Sequence, residues 1–169
     1  MEPLYRLFIR KDALKFSAAH MTVFPDGTKE PLHGHNYRLE LTVTVAKVPV
    51  AEMVPFSSFK RVMKLHCDTW DEKVLLARQS PFLSIDSETK ETCEFRLCGK
   101  RYVLPADEVV WLPVENITSE SLAELLCGRL VVSLGTALRS GPVRALEVRV
   151  DEITGQGASF SWAKGVPVL

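Results

Sequence analysis

The chain has 169 residues, 46% hydrophobic and 25% charged, with 21 basic and 21 acidic side chains that cancel. This predicts one domain over residues 1–169 with enough apolar material for a core, and it excludes a general basic field for nucleic acid. No apolar run reaches the roughly 18 residues of a membrane span, no signal peptide is legible, and the four cysteines lack CxxC or disulfide-rich spacing, so a soluble cytoplasmic protein is expected.

Leu4 to His20 carries alternating apolar positions (Leu14, Phe16, Ala18), the period of a half-buried strand. FPDGT, Phe24 to Thr28, signals a turn. NYRLELTVTV, Asn36 to Val45, alternates more clearly, with Tyr37, Leu39, Leu41, Val43 and Val45 on one face. VPFSSFKRVMKLHCDTW, Val54 to Trp70, has helical spacing, and Ser57 or Ser58 is a candidate N-cap. Short strands are expected over Cys93–Leu104 and Glu108–Pro113, with CGKRY turning a hairpin. A second helix is read from ITSESLAELLCGRLVVSLGTAL, capped by Thr118 or Ser119 and burying Leu122, Leu125, Leu126 and Leu130. Arg144–Val150 and Ala158–Trp162 complete the order as strands around ITGQG. The sum is an α+β domain of mainly antiparallel strands.

His33 and His35 stand one residue apart at the start of a strand, so their side chains share a face about 6–7 Å apart. Two imidazoles so placed can meet one small ion at about 2.0–2.1 Å. Gly34 between them leaves room for close approach. A third ligand must come from elsewhere, and the other histidines are His20 and His66. His20 ends the first strand, where the intervening loop can return it to His33, whereas His66 lies in an amphipathic helix and reads as a packed or surface residue. Three histidines with an open fourth position is the catalytic form of zinc coordination.

FSAAH (Phe16 to His20) followed by LHGHNY (Leu32 to Tyr37) resembles the 6-pyruvoyl-tetrahydropterin and 6-carboxytetrahydropterin synthase family. VPFSSFKRVM, DEKVLL, NITSESLAELL and VRVDEITG resemble further segments of that family, in the same order. The resemblance implies a tunnelling fold: a four-stranded antiparallel sheet with two helices on one face, here with an extra hairpin. It also implies Zn2+ on His20, His33 and His35, a small-molecule pterin substrate, no nucleic-acid or membrane partner, and homo-oligomers built from trimers, usually hexamers. Glu152 would receive the guanidine-like edge of the pterin through two parallel hydrogen bonds. Thr118, Ser119 and Glu120 would border the same pocket.

The chain departs from the family in its proton-transfer groups. The usual catalytic cysteine stands four residues before the first His of HxH, where this chain has Lys29. Glu30 lies one residue on, which resembles a branch with glutamate in that role. That branch is implied to cleave 7,8-dihydroneopterin triphosphate to 6-hydroxymethyl-dihydropterin, often with some 6-pyruvoyl-tetrahydropterin. The family's Asp-His pair becomes Asp71-Glu72, which replaces a group titrating near neutrality with a carboxylate. A rearranged acid/base set making 6-carboxytetrahydropterin, and a pterin-binding homologue without turnover, are the rival readings.

Overall fold

The computed structural model describes residues 3–47 and 55–167. Its longest strand, β3 (His33–Ala46), is the axis of the structure. The strand expected over Leu4–His20 is two, β1 (Leu4–Ile9) and β2 (Lys15–His20), and both pair antiparallel with β3. Ile9 lies opposite Leu41 and Lys15 opposite Arg38, so the five residues Arg10–Leu14 face only Leu39 and Glu40. The interruption has a physical source in the polar run Arg10-Lys11-Asp12, although Leu14 returns to the core and its carbonyl accepts the Leu39 N–H at 2.9 Å.

On the other side of β3 come β9 (Val143–Ile153) and β10 (Gln156–Ala163), again antiparallel. These four lines of strand are the antiparallel sheet that the resemblance implies. The sheet is larger, however. Two short strands, β4 (Lys73–Ala77) and β8 (Val109–Leu112), extend it beyond β2 in parallel, giving the order β10-β9-β3-β2-β4-β8 with β1 also on β3. The expected extra hairpin is a separate three-stranded sheet of β5 (Leu83–Glu88), β6 (Thr92–Leu97) and β7 (Lys100–Pro105), turned between β6 and β7 at Cys98-Gly99. β5 carries only exposed or half-buried residues, so no apolar alternation announces it.

The first helix, α1, runs Phe56–Trp70; the expected start at Val54 lies outside the described residues. Neither Ser57 nor Ser58 caps it. Pro55 is the N-cap, without a side-chain bond, since its fixed φ already suits the helix entry. Thr118 does cap α2 (Ser119–Ser133), its Oγ1 accepting the Ser121 N–H at 3.3 Å. The single second helix expected from sequence breaks at Leu134, and α3 (Gly135–Ser140) restarts it. Both long helices pack against the sheet and one another. Phe59, Met63, Cys67 and Trp70 from α1 and Leu122, Leu126 and Leu130 from α2 meet Phe16, Tyr37, Leu39, Leu41 and Val148 in one apolar core. Each large side chain so buried contributes about 1.5–3 kcal/mol. A second cluster, with Met21, Leu76, Phe95 and Leu97 at its centre, joins the small sheet to β4 and to the loop segment just after His20.

Candidate metal and pterin site

Side chains alternate along β3, so His33 and His35 share the face of Tyr37, Leu39 and Leu41. The core stripe therefore ends in two imidazoles. The register of β2 places His20 directly opposite His33 and Ala18 opposite His35. All three histidines consequently converge, with one ligand atom of each within 4.8 Å of the others. A tetrahedral zinc holds its nitrogen ligands about 3.3 Å apart, a spacing that small side-chain adjustments reach. His33 Nε2 and His35 Nε2 are 3.0 Å apart, closer than that.

The backbone sets which nitrogen faces inward. His20 Nδ1 lies 3.0 Å from the Ile117 carbonyl and His33 Nδ1 lies 2.9 Å from the Pro31 carbonyl. A carbonyl only accepts, so each Nδ1 carries the proton and each Nε2 presents a lone pair to the cluster. His20 Nε2 is buried and finds no hydrogen-bond partner among the described residues. Burial also lowers the His20 pKa, against the opposing pull of the Ile117 carbonyl and the Glu152 charge, which favours the neutral imidazole that a metal requires. An orphaned lone pair, beside two further imidazoles, fits a divalent ion with nitrogen preference.

Glu30 joins this cluster from a tight loop. Its Oε2 lies 3.9 Å from His33 Nε2. The loop is a small hairpin in which Glu30 N–H donates to the Thr22 carbonyl at 2.9 Å, Phe24 N–H donates to the Thr28 carbonyl at 2.8 Å, and Val23 faces Lys29. Gly27 takes φ +80° at the turn, and a Cβ there would also lie 3.1 Å from the Phe82 ring. The outward backbone groups of Val23 are both held by Asn116, whose Oδ1 accepts at 3.0 Å and whose Nδ2 donates at 2.8 Å. Sequence reasoning missed Asn116 and Ile117. Both open the NITSESLAELL segment that resembles the family, just before the Thr118 cap, but nothing in it marked their contacts to Val23 and His20.

Asp71 and Glu72 follow the last turn of α1. Asp71 Oδ1 accepts the Ser17 N–H at 2.7 Å, and Glu72 N–H donates to the Ser17 carbonyl at 2.7 Å. This clip leaves Glu72 at φ +57°, a left-handed conformation unusual for a glutamate. Asp71 is thus tied to backbone, whereas Glu72 borders an open cleft of about 1070 Å³ together with His35, Asn36 and Glu152. Glu152 shares strand parity with Val148 and Val150, and its negative charge acts on both His20 and Tyr37. Tyr37 is fully buried, its hydroxyl finds no partner among the described residues, and burial pushes its pKa upward. Thr118 is occupied in capping α2, Ser119 is buried and Glu120 is exposed; none of the three lines the cleft. Among the described residues, their segment hydrogen-bonds to the histidines through the Ile117 carbonyl. His66 is apart from the cluster, with Nδ1 accepting from Arg129 at 3.0 Å.

Comparisons with known proteins bear on the family and the fold. A Methanocaldococcus jannaschii protein with the provisional name 6-carboxy-5,6,7,8-tetrahydropterin synthase is 29% identical over 148 residues, spanning 87% of this chain and 89% of the relative. The crystal structure of 6-pyruvoyl tetrahydropterin synthase from Plasmodium vivax superposes with a TM-score of 0.86 at 23% identity, covering 96% of this chain and 99% of that one. A variant of the P. vivax enzyme, in which a catalytic Glu is replaced by Ala, gives 0.86 at 22% identity with the same coverage. At such identity the likeness is one of fold. The family profile described as 6-pyruvoyl tetrahydropterin synthase matches residues 9–162, and the chain belongs to that family.

Proposed function

We propose that this protein is a zinc-dependent lyase acting on 7,8-dihydroneopterin triphosphate, with Glu30 as the base, giving 6-hydroxymethyl-dihydropterin, 6-pyruvoyl-tetrahydropterin or both. The observation that carries this reading is the 3.9 Å approach of the Glu30 carboxylate to His33 Nε2 within the three-histidine cluster. His20, His33 and His35 would hold the metal, which when bound supplies Lewis-acid activation of the substrate's side-chain hydroxyls. Glu30 would take a proton from a substrate atom that reaches the same cluster, and its 3.9 Å approach to His33 supports this. Glu152 would accept two parallel N–H bonds from the pterin edge, and its position beside Tyr37 and His20 supports this. Glu72, opening on the cleft, would be the second proton carrier, with Asp71 fixing the turn that presents it. Thr118, Ser119 and Glu120 are given a supporting place through the helix cap beside Ile117. A catalytic glutamate in the similar P. vivax fold adds weight to the Glu30 assignment.

A second reading, 6-carboxytetrahydropterin formation, is favoured by the name of the M. jannaschii relative. Association into trimers or hexamers is part of the first reading. The outer sides of β1 and β10 are unpaired among the described residues, and Leu4, Tyr5 and Phe8 on β1 are exposed. All four cysteines are free thiols, which supports a reducing, cytoplasmic setting. Among the described residues, no helix is long and apolar enough to cross a membrane.

The deciding experiment incubates zinc-loaded protein with dihydroneopterin triphosphate and identifies the products by mass spectrometry, for wild type and Glu30→Ala. Loss of at least 100-fold in turnover is expected on removing a general base. Unchanged turnover would remove Glu30 from the mechanism, and a 6-carboxy product would favour the second reading.

A further inference from the structure

The small three-stranded sheet has no part in the chemistry above, yet it touches the Glu30 hairpin along its length. Lys29 provides the closest link. Its Nζ donates to the Glu30 carbonyl at 3.0 Å and lies 5.1 Å from the centre of the Tyr102 ring, which is on β7. An ammonium over a tyrosine face is attracted by the ring quadrupole, more so where both are half-buried, as here. Tyr102 is itself fixed, stacking on Phe95 with ring centres 5.3 Å apart and planes 15° from parallel. Phe95 is fully buried and meets Trp111 edge-on at 5.7 Å. Two further contacts run in parallel with this one, Phe82 against Gly27 and Cys98 Sγ toward the Thr28 carbonyl.

We infer that Lys29 and Tyr102 are positioning residues, a cation–aromatic anchor by which the small sheet holds the Glu30 carboxylate against the histidine cluster. The inference rests on Glu30 being the base. The geometry supports it from two directions. Asn116 holds the Val23 strand of the hairpin, and the Lys29–Tyr102 pair holds the opposite strand, so the loop is gripped from both of its arms. Lys29 occupies the place where the family resemblance leads one to look for a nucleophile or base, and its ammonium is turned instead to the backbone of the next residue. The Glu30 N–H bond to the Thr22 carbonyl and the Asn116 clamp fix the first arm, and the Lys29–Tyr102 pair adds the restraint on the arm that carries the carboxylate, toward the tolerance that proton transfer demands.

The test uses the full chain loaded with zinc and compares Tyr102→Leu, Tyr102→Phe, Lys29→Met and Glu30→Ala. Hydrogen exchange at the Phe24, Gly27 and Glu30 amides needs no turnover and should accelerate at least fivefold in Tyr102→Leu and Lys29→Met, with Tyr102→Phe like wild type because the ring face is kept. In steady-state assays kcat should fall about tenfold in the first two variants, with KM and zinc content unchanged and Tyr102→Phe restoring the rate. Exchange unaltered in Tyr102→Leu overturns the anchor, whatever Glu30 does. A raised KM with intact kcat in Lys29→Met also overturns it, since that pattern assigns Lys29 to substrate. Full turnover in Glu30→Ala, with exchange still accelerated in Tyr102→Leu, overturns the base assignment alone.

Discussion

Asn116 bonds both backbone groups of Val23, accepting from its N–H at 3.0 Å and donating to its carbonyl at 2.8 Å. A single side-chain amide thereby does the work of a third strand beside the Glu30 hairpin. The same Oδ1 also lies 3.1 Å from the Ile117 N–H, whose residue holds His20 through its carbonyl. One amide thus connects the loop that carries the carboxylate with the contact that orients the innermost imidazole.

Asn116→Ala should therefore destabilise by more than its size suggests. Three backbone groups lose their partner, the N–H and carbonyl of half-buried Val23 and the N–H of buried Ile117, at about 1–3 kcal/mol for each group left unsatisfied. Urea unfolding of the variant should show a loss of that order. A change within 0.5 kcal/mol would mean that solvent replaces the amide fully.

The metal assignment separates two histidines sharply. His33→Ala removes one of three converging ligands and should leave the purified protein without stoichiometric zinc, whereas His66→Ala should retain it. Elemental analysis after dialysis reads both. The reverse pattern would dissolve the proposed ligand set.

Glu72 allows strain and chemistry to be told apart. At φ +57° a glycine is the easier residue, so Glu72→Gly should be more stable than Glu72→Ala by about 0.4–1 kcal/mol. Both lack the carboxylate. If Glu72 carries a proton, both lose turnover equally despite their different melting temperatures; if turnover follows stability instead, the side chain serves only the bend.

His66 should give the protein a pH-dependent stability. Burial, reinforced by the Arg129 guanidinium, lowers its pKa from 6.5 to about 4. Above about pH 6.5 the imidazole is neutral in both folded and unfolded chains, and its full contribution is present. Between about 6.5 and 4 the unfolded chain binds a proton that the folded one refuses, so stability falls with pH, and below 4 this slope ends. With allowance for partial solvent exposure, the loss is on the order of 1–2 kcal/mol. Chemical denaturation of metal-free protein across this range should be steeper in wild type than in His66→Gln.

Much of the site was legible because it obeys strand periodicity. Counting by two from Leu39 back to His35 and His33 places both imidazoles on the buried face, and the antiparallel return of β2 brings His20 opposite. Glu30 was legible through its distance from the HxH pair. What escaped has a common physical character. β4 and β5 are five and six residues long, and their exposure pattern does not alternate cleanly; β4 is fixed by partners far away in the chain, β2 and β8, and β5 only by its neighbour β6. The Leu134 break lies between Ser133 and Gly135, and the apolar positions that resume at Ala137 and Leu138 carry the helical spacing across it, so the glycine did not stand out as a stop. Asn116, Lys29 and Tyr102 act through contacts to the backbone or to a ring from a distant segment, which no local pattern encodes.

The five residues Arg10–Leu14, set against only two on β3, have a consequence for how this chain tolerates change in length. They uncouple the phase of β2 from that of β1. An added residue between Lys11 and Asp12, both exposed, would be taken up in the slack while each strand kept its own register. The same addition one strand later, between Phe16 and His20, would rotate His20 to the far side of the sheet and empty the cluster of its innermost ligand. The segment works as a slip joint, sparing the histidine end of the sheet from changes in the length of the chain before it.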